Sequence, residues 1–253
     1  MLAQATGTYR EQPIVGPLRD HFICAWIHRL PETKIPPVAV VPDGCIDLQW
    51  LAGAWRIAGP DREAIIETLA PGTTVVGFRF RPARAGSWLG LVASELVNRR
   101  IPLEEVWGAE ARHLAERAGE ARDIAALARI LETTLARRRP SMPARAHHMR
   151  AVFELLSRGA PAGKPLLAWL SQELAMSERT LRRQCEDAFG YGPKTLDRIL
   201  RFQRFLKLVS SARNASAASL ALEAGYADQA HLVRESRRLA GATPGEIAAL
   251  LAQ

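Results

Sequence analysis

Hydrophobic residues recur along this chain with two different periods. In CIDLQW (Cys45 to Trp50), Ile46, Leu48 and Trp50 alternate with polar partners, Ala52-Gly53-Ala54 permits a reversal, and WRIAG (Trp55 to Gly59) starts a return strand. TVVGFRFRP (Thr74 to Pro82) alternates again, with Val76, Phe78 and Phe80 on one face and Gly77, Arg79 and Arg81 on the other. These runs, set within a strand-like stretch from Ile35 to about Arg84, predict the walls of a small antiparallel barrel or sandwich. After Ser87 the period becomes helical. Leu114, Ala118, Ile124, Leu127, Ile130, Leu131 and Leu135 step by threes and fours, which predicts one amphipathic helix over 121–138 and another ending near Gly119. The pattern stops at Arg137-Arg138-Arg139-Pro140-Ser141-Met142-Pro143, a basic cluster with two prolines, and a linker is expected there.

Beyond the linker the helical period is written twice around tight turns. In LSQELAMSERTLRRQCEDAFG (Leu170 to Gly190), a short apolar-faced helix entered at Pro165 turns at Ala175-Met176-Ser177. A second helix follows, with Ser177 as N-cap and Leu181, Cys185, Ala188 and Phe189 as its buried stripe. In ASLALEAGYADQAHLVRESRRLAGATP (Ala218 to Pro244) the turn falls at Gly225, Asp228 caps, and Leu232 and Leu239 face inward. Between the two units, Thr195 to Val209 reads as one helix with a broad apolar face. The expected class is therefore α+β, with a β-rich segment 1–86 and a helical tail 87–139 forming a first domain, 1–140, and an all-α domain over 145–253.

Groove-reading helices need polar side chains on their first turns, where they meet base edges. Ser177, Arg179, Thr180, Arg182 and Arg183 occupy that place in the first unit, and Gln229, Ala230, His231 and Arg234 in the second. Arg matches the paired N7 and O6 acceptors of guanine, and Gln the N6 and N7 pair of adenine. A solvated polar face on an ordinary helix would look the same for one unit alone; the repetition favours reading of double-stranded DNA. Charge agrees with this, because the net +8 of the chain divides into +6 over residues 141–253 and +2 over 1–140.

At 253 residues and 48% hydrophobic content the chain can hold two ordinary cores. It lacks an apolar run of about 18 residues, and Met1 to Arg10 has neither the basic start nor the apolar block of a secretory signal, so a cytoplasmic location off the membrane is expected. Three widely spaced cysteines, Cys24, Cys45 and Cys185, argue against a disulfide frame or a thiolate zinc site. No catalytic set, metal site or cofactor motif is expected.

The segment from about Met149 to Leu250 resembles the DNA-binding domain of the AraC/XylS family of bacterial transcription regulators. LALEAGY (Leu220 to Tyr226), ADQAHLVR (Ala227 to Arg234) and GATP (Gly241 to Pro244) match its second unit and ending. The resemblance implies two helix-turn-helix subdomains joined by a helix, with Arg179, Arg182 and Arg183 and then Gln229, Ala230, His231 and Arg234 at groove-facing places. Departures fall at Ala175, where the family has a turn Gly, and at Ser236, where it has an aromatic. VPDGCIDLQW, GFRFRP and IPLEEVWG resemble a domain of unassigned role that precedes the DNA-binding domain in part of that family, with Ala83 replacing its usual Gly. That likeness implies a cupin-like β-domain for sensing and a helical segment for pairing; it supplies no ligand, and control by a small molecule or a partner acting on this domain is expected. The expectation is a regulator, an activator, acting on RNA polymerase at a promoter as a homodimer through helices in Leu103 to Arg138.

Two other classes stay open. In a DNA-repair alkyl-transfer protein Cys45, after the turn signal Val41-Pro42-Asp43-Gly44, would be an exposed nucleophile; alternatively it is a small buried residue opening a strand. Asp43 and Asp47 beside it read either as an acid/base pair or as carboxylates satisfying local backbone groups. A sequence-indifferent architectural protein is the third class, driven by counterion release. Among the tryptophans and strand aromatics, Trp26, Trp50 and Phe78 are the candidates to line an effector pocket, plain core being their other reading.

Overall fold

The computed structural model describes residues 5–138, 140, 145–161, 163–211 and 216–251. Most of the expected linker, residues 139 and 141–143, lies outside them. The N-terminal region is built on β1 (Thr8–Pro13), β2 (Phe22–Arg29), β3 (Val38–Val40), β4 (Asp47–Leu51), β5 (Ala54–Ala58), β6 (Ile65–Glu67), β7 (Thr74–Phe80) and β8 (Arg100–Pro102). Six strands form an antiparallel sheet in the order β1-β2-β7-β4-β5-β8, and β3 pairs with β6 separately. The β4–β5 reversal is a two-residue hairpin in which Ala52 (φ 49) and Gly53 (φ 80) are both left-handed. Two such residues give the turn whose twist suits the flanking strands.

Alternation along β4 and β7 sorts the sheet into two unlike faces. Leu48, Ile57, Val76, Phe78 and Phe80 enter an aromatic core. There Phe22 lies 4.5 Å from Phe80 and 5.2 Å from Trp88, ring centre to ring centre. Helices α1 (Ala85–Leu89), α2 (Glu104–Trp107), α3 (Ala109–Gly119) and α4 (Ile124–Arg138) cover this face with Trp88, Trp107, Leu114, Leu127 and Leu131. The Arg138 guanidinium sits 4.1 Å above the Trp107 ring. The opposite face carries Trp26, Asp47, Gln49, Arg56 and Arg79 and bounds a cavity shared with the β3–β6 pair.

Two local expectations are corrected. The stretch read as helical after Ser87 contains an edge strand, β8: Ile101 is drawn into the core, and Pro102 is tolerated because an edge position need not donate to a neighbour. Asp47 does not satisfy local backbone groups, one of its two readings; its carboxylate accepts from Trp26 Nε1 at 3.1 Å and from the Arg79 guanidinium at 3.3 Å. Asp43 does take the local role, accepting from Cys45 N at 2.9 Å, while its other oxygen pairs with Arg79.

The C-terminal region is helical: α5 (Arg145–Arg158), α6 (Leu166–Glu173), α7 (Glu178–Phe189), α8 (Pro193–Ser211), α9 (Ala217–Ala224), α10 (Gln229–Ala240) and α11 (Pro244–Leu251). At 1.5 Å per residue the 19-residue α8 is about 28 Å long. It buries Leu196, Ile199, Leu200, Phe202, Phe205 and Leu206. Arg204 on α8 ties neighbours to it, donating to the carbonyls of Leu156 (2.6 Å) at the end of α5 and Ala224 (3.3 Å) at the end of α9. Cationic donors at helix C-termini satisfy carbonyls that have no partner within the helix.

The two regions touch. Gln203 of α8 donates to the Pro42 carbonyl at 2.7 Å, and Arg62 donates to the Gly190 carbonyl at 3.0 Å. Gly190 (φ 80) closes α7 where a Cβ would lie 2.9 Å from the Ala93 carbonyl, so only glycine suits both the turn and the contact.

Candidate nucleic-acid interface

Helices α7 and α10 each start from a short polar residue in extended conformation. Ser177 (φ −66, ψ 148) caps α7, its Oγ accepting from Thr180 N at 3.2 Å. Asp228 (φ −160, ψ 174) caps α10, its Oδ1 accepting from His231 N at 2.6 Å. These caps fix where each helix begins and satisfy donors that have no partner within the helix.

The buried stripe of α7 is Leu181, Cys185 and Phe189, and that of α10 is Leu232, Ser236, Leu239 and Ala240. What remains points out. Ser177, Arg179, Arg182, Arg183, Gln229, Ala230 and Arg234 are exposed; Thr180 and His231 are half-buried. Thr180 accepts from the Ser177 hydroxyl at 2.9 Å, and His231 meets the buried Tyr226 ring edge-on at 5.2 Å. Arg182 has Glu178 one turn back at 3.6 Å, an exposed pair worth only about 0.3–0.5 kcal/mol. Its guanidinium is therefore cheaply redirected.

The turns answer two questions raised by the sequence. Gly225 (φ 92) closes α9 in the left-handed region. Ala175 occupies that region too, at φ 49, and so does Ala83, at φ 62. Both alanines that replace a family glycine thus keep the glycine's backbone. Ser236 is fully buried, and its hydroxyl has no hydrogen-bond partner among the described residues. At GATP a capping box forms, Glu246 N donating to Thr243 Oγ1 at 3.3 Å and Thr243 N to Glu246 Oε2 at 2.6 Å. Those hydrogen bonds hold the Glu246 carboxyl below its usual range.

Residues 170–249 match the family described as a helix-turn-helix domain, and residues 15–102 match a domain of unknown function, DUF6597. The chain carries a helix-turn-helix domain. The chain shares its fold, an antiparallel β N-terminal region followed by a helical C-terminal region, with ToxT. Among solved structures, ToxT from Vibrio cholerae aligns at 11% identity over 97% of this chain and 100% of its own, with a TM-score of 0.52. ToxT with an unsaturated fatty acid bound aligns at 11% identity, 91% and 95% coverage and a TM-score of 0.51. A probable AraC family regulator from Rhodopseudomonas palustris is 23% identical over 41% of this chain and 95% of its own, with a TM-score of 0.36. No curated protein matches the sequence.

Ahead of the helix-turn-helix domain, the cavity of about 140 Å³ has Trp26 in its wall, whereas Trp50 and Phe78 lie on the other side of the sheet in the aromatic core. Period-2 geometry separates them: Trp50 and Phe78 share the face of Leu48 and Val76. The polar residues that do line it were not anticipated. Arg79, Arg56 and Arg100 meet Asp43, Asp47, Asp61 and Glu67 there, on strands distant in sequence. Burial raises the carboxyls of Asp47 and Asp61 despite their arginine partners, while in Glu67 two arginines outweigh burial and lower it. The Cys45 thiol, which donates weakly to the Asp43 carbonyl at 3.8 Å, is pushed well up by burial and then by the Asp43 carboxylate. Among the described residues, no helix is long and apolar enough to cross a membrane.

Proposed function

We propose that the protein is a sequence-specific transcription regulator whose helices α7 and α10 read two major-groove segments of one promoter site. The observation that carries this is the pair of capped helices on either side of α8, each presenting an exposed Arg and further polar side chains from its first turns. A binding selection from random DNA pools tests it: a two-part consensus is expected, and the absence of any consensus would leave only counterion-driven binding. The competing alkyl-transfer reading is less well supported, because the half-buried Cys45 thiol sits beside the Asp43 carboxylate, and both burial and that charge oppose the thiolate.

The same reading includes control by a small molecule in the N-terminal cavity. Support comes from continuity: Asp43 and Cys45 line the cavity, and between them Gly44 packs toward Phe153 and Leu196 while Pro42 accepts from Gln203. Asp61 lines it as well, and the next residue, Arg62, holds the end of α7. A ligand that shifts either segment shifts the helices they touch. Regulation in the cytoplasm, contact with RNA polymerase and pairing through Leu103 to Arg138 complete the proposal; sedimentation of the full chain should give a dimer.

A further inference from the structure

Resting on that effector-cavity reading, we infer that the cavity selects a small organic cation, an ammonium group on a compact apolar body. Five carboxylates line it, Glu11, Asp43, Asp47, Asp61 and Glu67, against three guanidiniums, Arg56, Arg79 and Arg100. The arginines are already engaged. Arg79 gives Nε to Asp47, Nη1 to Glu11 and Nη2 to Asp43 at 3.3, 3.3 and 2.9 Å. Arg100 gives Nε to Glu67 and both terminal nitrogens to Asp61. Arg56 gives Nε to Gln49 Oε1 and Nη2 to Glu67, which leaves only Nη1. His28 spends Nε2–H on the Thr6 carbonyl. An anionic ligand would find only Arg56 Nη1 unless it broke one of these pairs. A cationic ligand meets two surplus negative charges that burial has made costly, and each carboxylate oxygen has room for a further donor.

The apolar half of the site is aromatic. Tyr9 and Trp26 stand 5.8 Å apart at the cavity wall, and Trp26 Nε1 donates to Asp47, which places an indole beside the carboxylate. Gly77 beneath that indole cannot carry a Cβ without striking the ring, so the backbone is shaped to seat it. An aromatic face next to a carboxylate is the chemistry that holds ammonium groups. No group of three His, Cys, Asp or Glu among the described residues is placed to hold a metal, so the missing positive charge fits an organic cation better than a metal ion. The volume, about 140 Å³, sets the size. A cavity of about 150 Å³ takes one benzene.

Calorimetric titration of the full chain with benzylammonium, benzyl alcohol and benzoate tests the inference. Benzylammonium should bind at least about tenfold more tightly than benzyl alcohol, with benzoate weakest. Asp47→Asn should weaken benzylammonium about tenfold and leave benzyl alcohol unchanged, with circular dichroism reporting the fold. If that variant fails to fold, Glu11→Gln at the more exposed rim should weaken benzylammonium by about threefold. Benzoate binding as tightly as benzylammonium, or no binding of any probe at millimolar concentration, overturns it. The DNA selection is read separately, so failure here is distinguishable from failure of the regulator reading.

Discussion

The two regions of this chain keep their working residues in opposite places. In the helical region the groove-facing candidates stand on the surface, with a buried apolar stripe beneath that makes the helix but takes no part in reading. In the β region the candidate site is inside, in ion pairs between strands. The difference has an energetic consequence. An exposed Arg can be replaced at little cost to the fold, whereas a buried, charge-paired Arg cannot. On the proposed function, one region could thus vary its recognition residues freely, and the other would tie ligand chemistry to stability.

Arg79→Leu is the sharpest way to break that contrast. It would leave Asp43 and Asp47 facing each other unpaired, and removing one partner of such a group costs about 3–5 kcal/mol. Urea unfolding of the variant should show this loss, and a loss no larger than that of a surface arginine would erase the distinction between the regions. The pH dependence has a fixed sign. Burial raises the Asp47 carboxyl, so the folded state binds its proton more readily than the unfolded state, and stability falls as pH rises through the folded-state value. The deficit of Arg79→Leu should therefore shrink on acidification from neutral pH toward the carboxylate range.

On the helical side Arg183→Ala should leave the unfolding curve nearly unchanged and cost about 1–3 kcal/mol of discrimination at one base position. Binding to matched and singly mismatched sites measures this. Equal loss on every sequence would reassign Arg183 to phosphate contact.

This contrast also explains what the sequence made legible. Strands β4, β5 and β7 alternate because one face meets a wholly apolar core, and the reading helices announce themselves through Ser177, Gly225 and Asp228, each acting on neighbours within a few residues. Strand β2 is buried on both faces and has a bulge between Phe22 and Cys24 that breaks its period, so no alternation marks it. The cavity was hidden for a different reason. Arg79 and Asp47 are 32 residues apart and Arg100 and Asp61 are 39 apart, and a charge at an alternate strand position reads locally as a solvent face. Its interior location is decided by a partner that no local pattern contains. Likewise Trp50 and Phe78 attracted a pocket role by their size, though strand parity already placed them with Leu48.

A smaller effect compares the two reading helices with each other. Asp228→Ala removes the oxygen that accepts from His231 N and should cost about 1 kcal/mol, as should Ser177→Ala in α7. Asp228 also places a negative charge at the positive end of α10, so its loss should depend more on salt than that of Ser177. Equal salt dependence in the two unfolding series would mean that the caps act through hydrogen bonding alone.

The smallest expected change is a gain. Ala175 holds φ 49 in the turn before α7, a conformation that crowds its Cβ against the backbone at about 1–2 kcal/mol. Glycine removes that strain but brings a more flexible unfolded chain, an opposing term of about 0.5–1 kcal/mol. Ala175→Gly should therefore stabilise by roughly 0.5 kcal/mol, seen as a higher urea midpoint at an unchanged slope. Ala83→Gly, at φ 62, obeys the same arithmetic in the β region. Because backbone strain is indifferent to whether function lies on the surface or inside, the two substitutions should agree in sign and size. A gain confined to Ala175→Gly would show that the β region offsets its left-handed alanine by contacts the helical turn lacks.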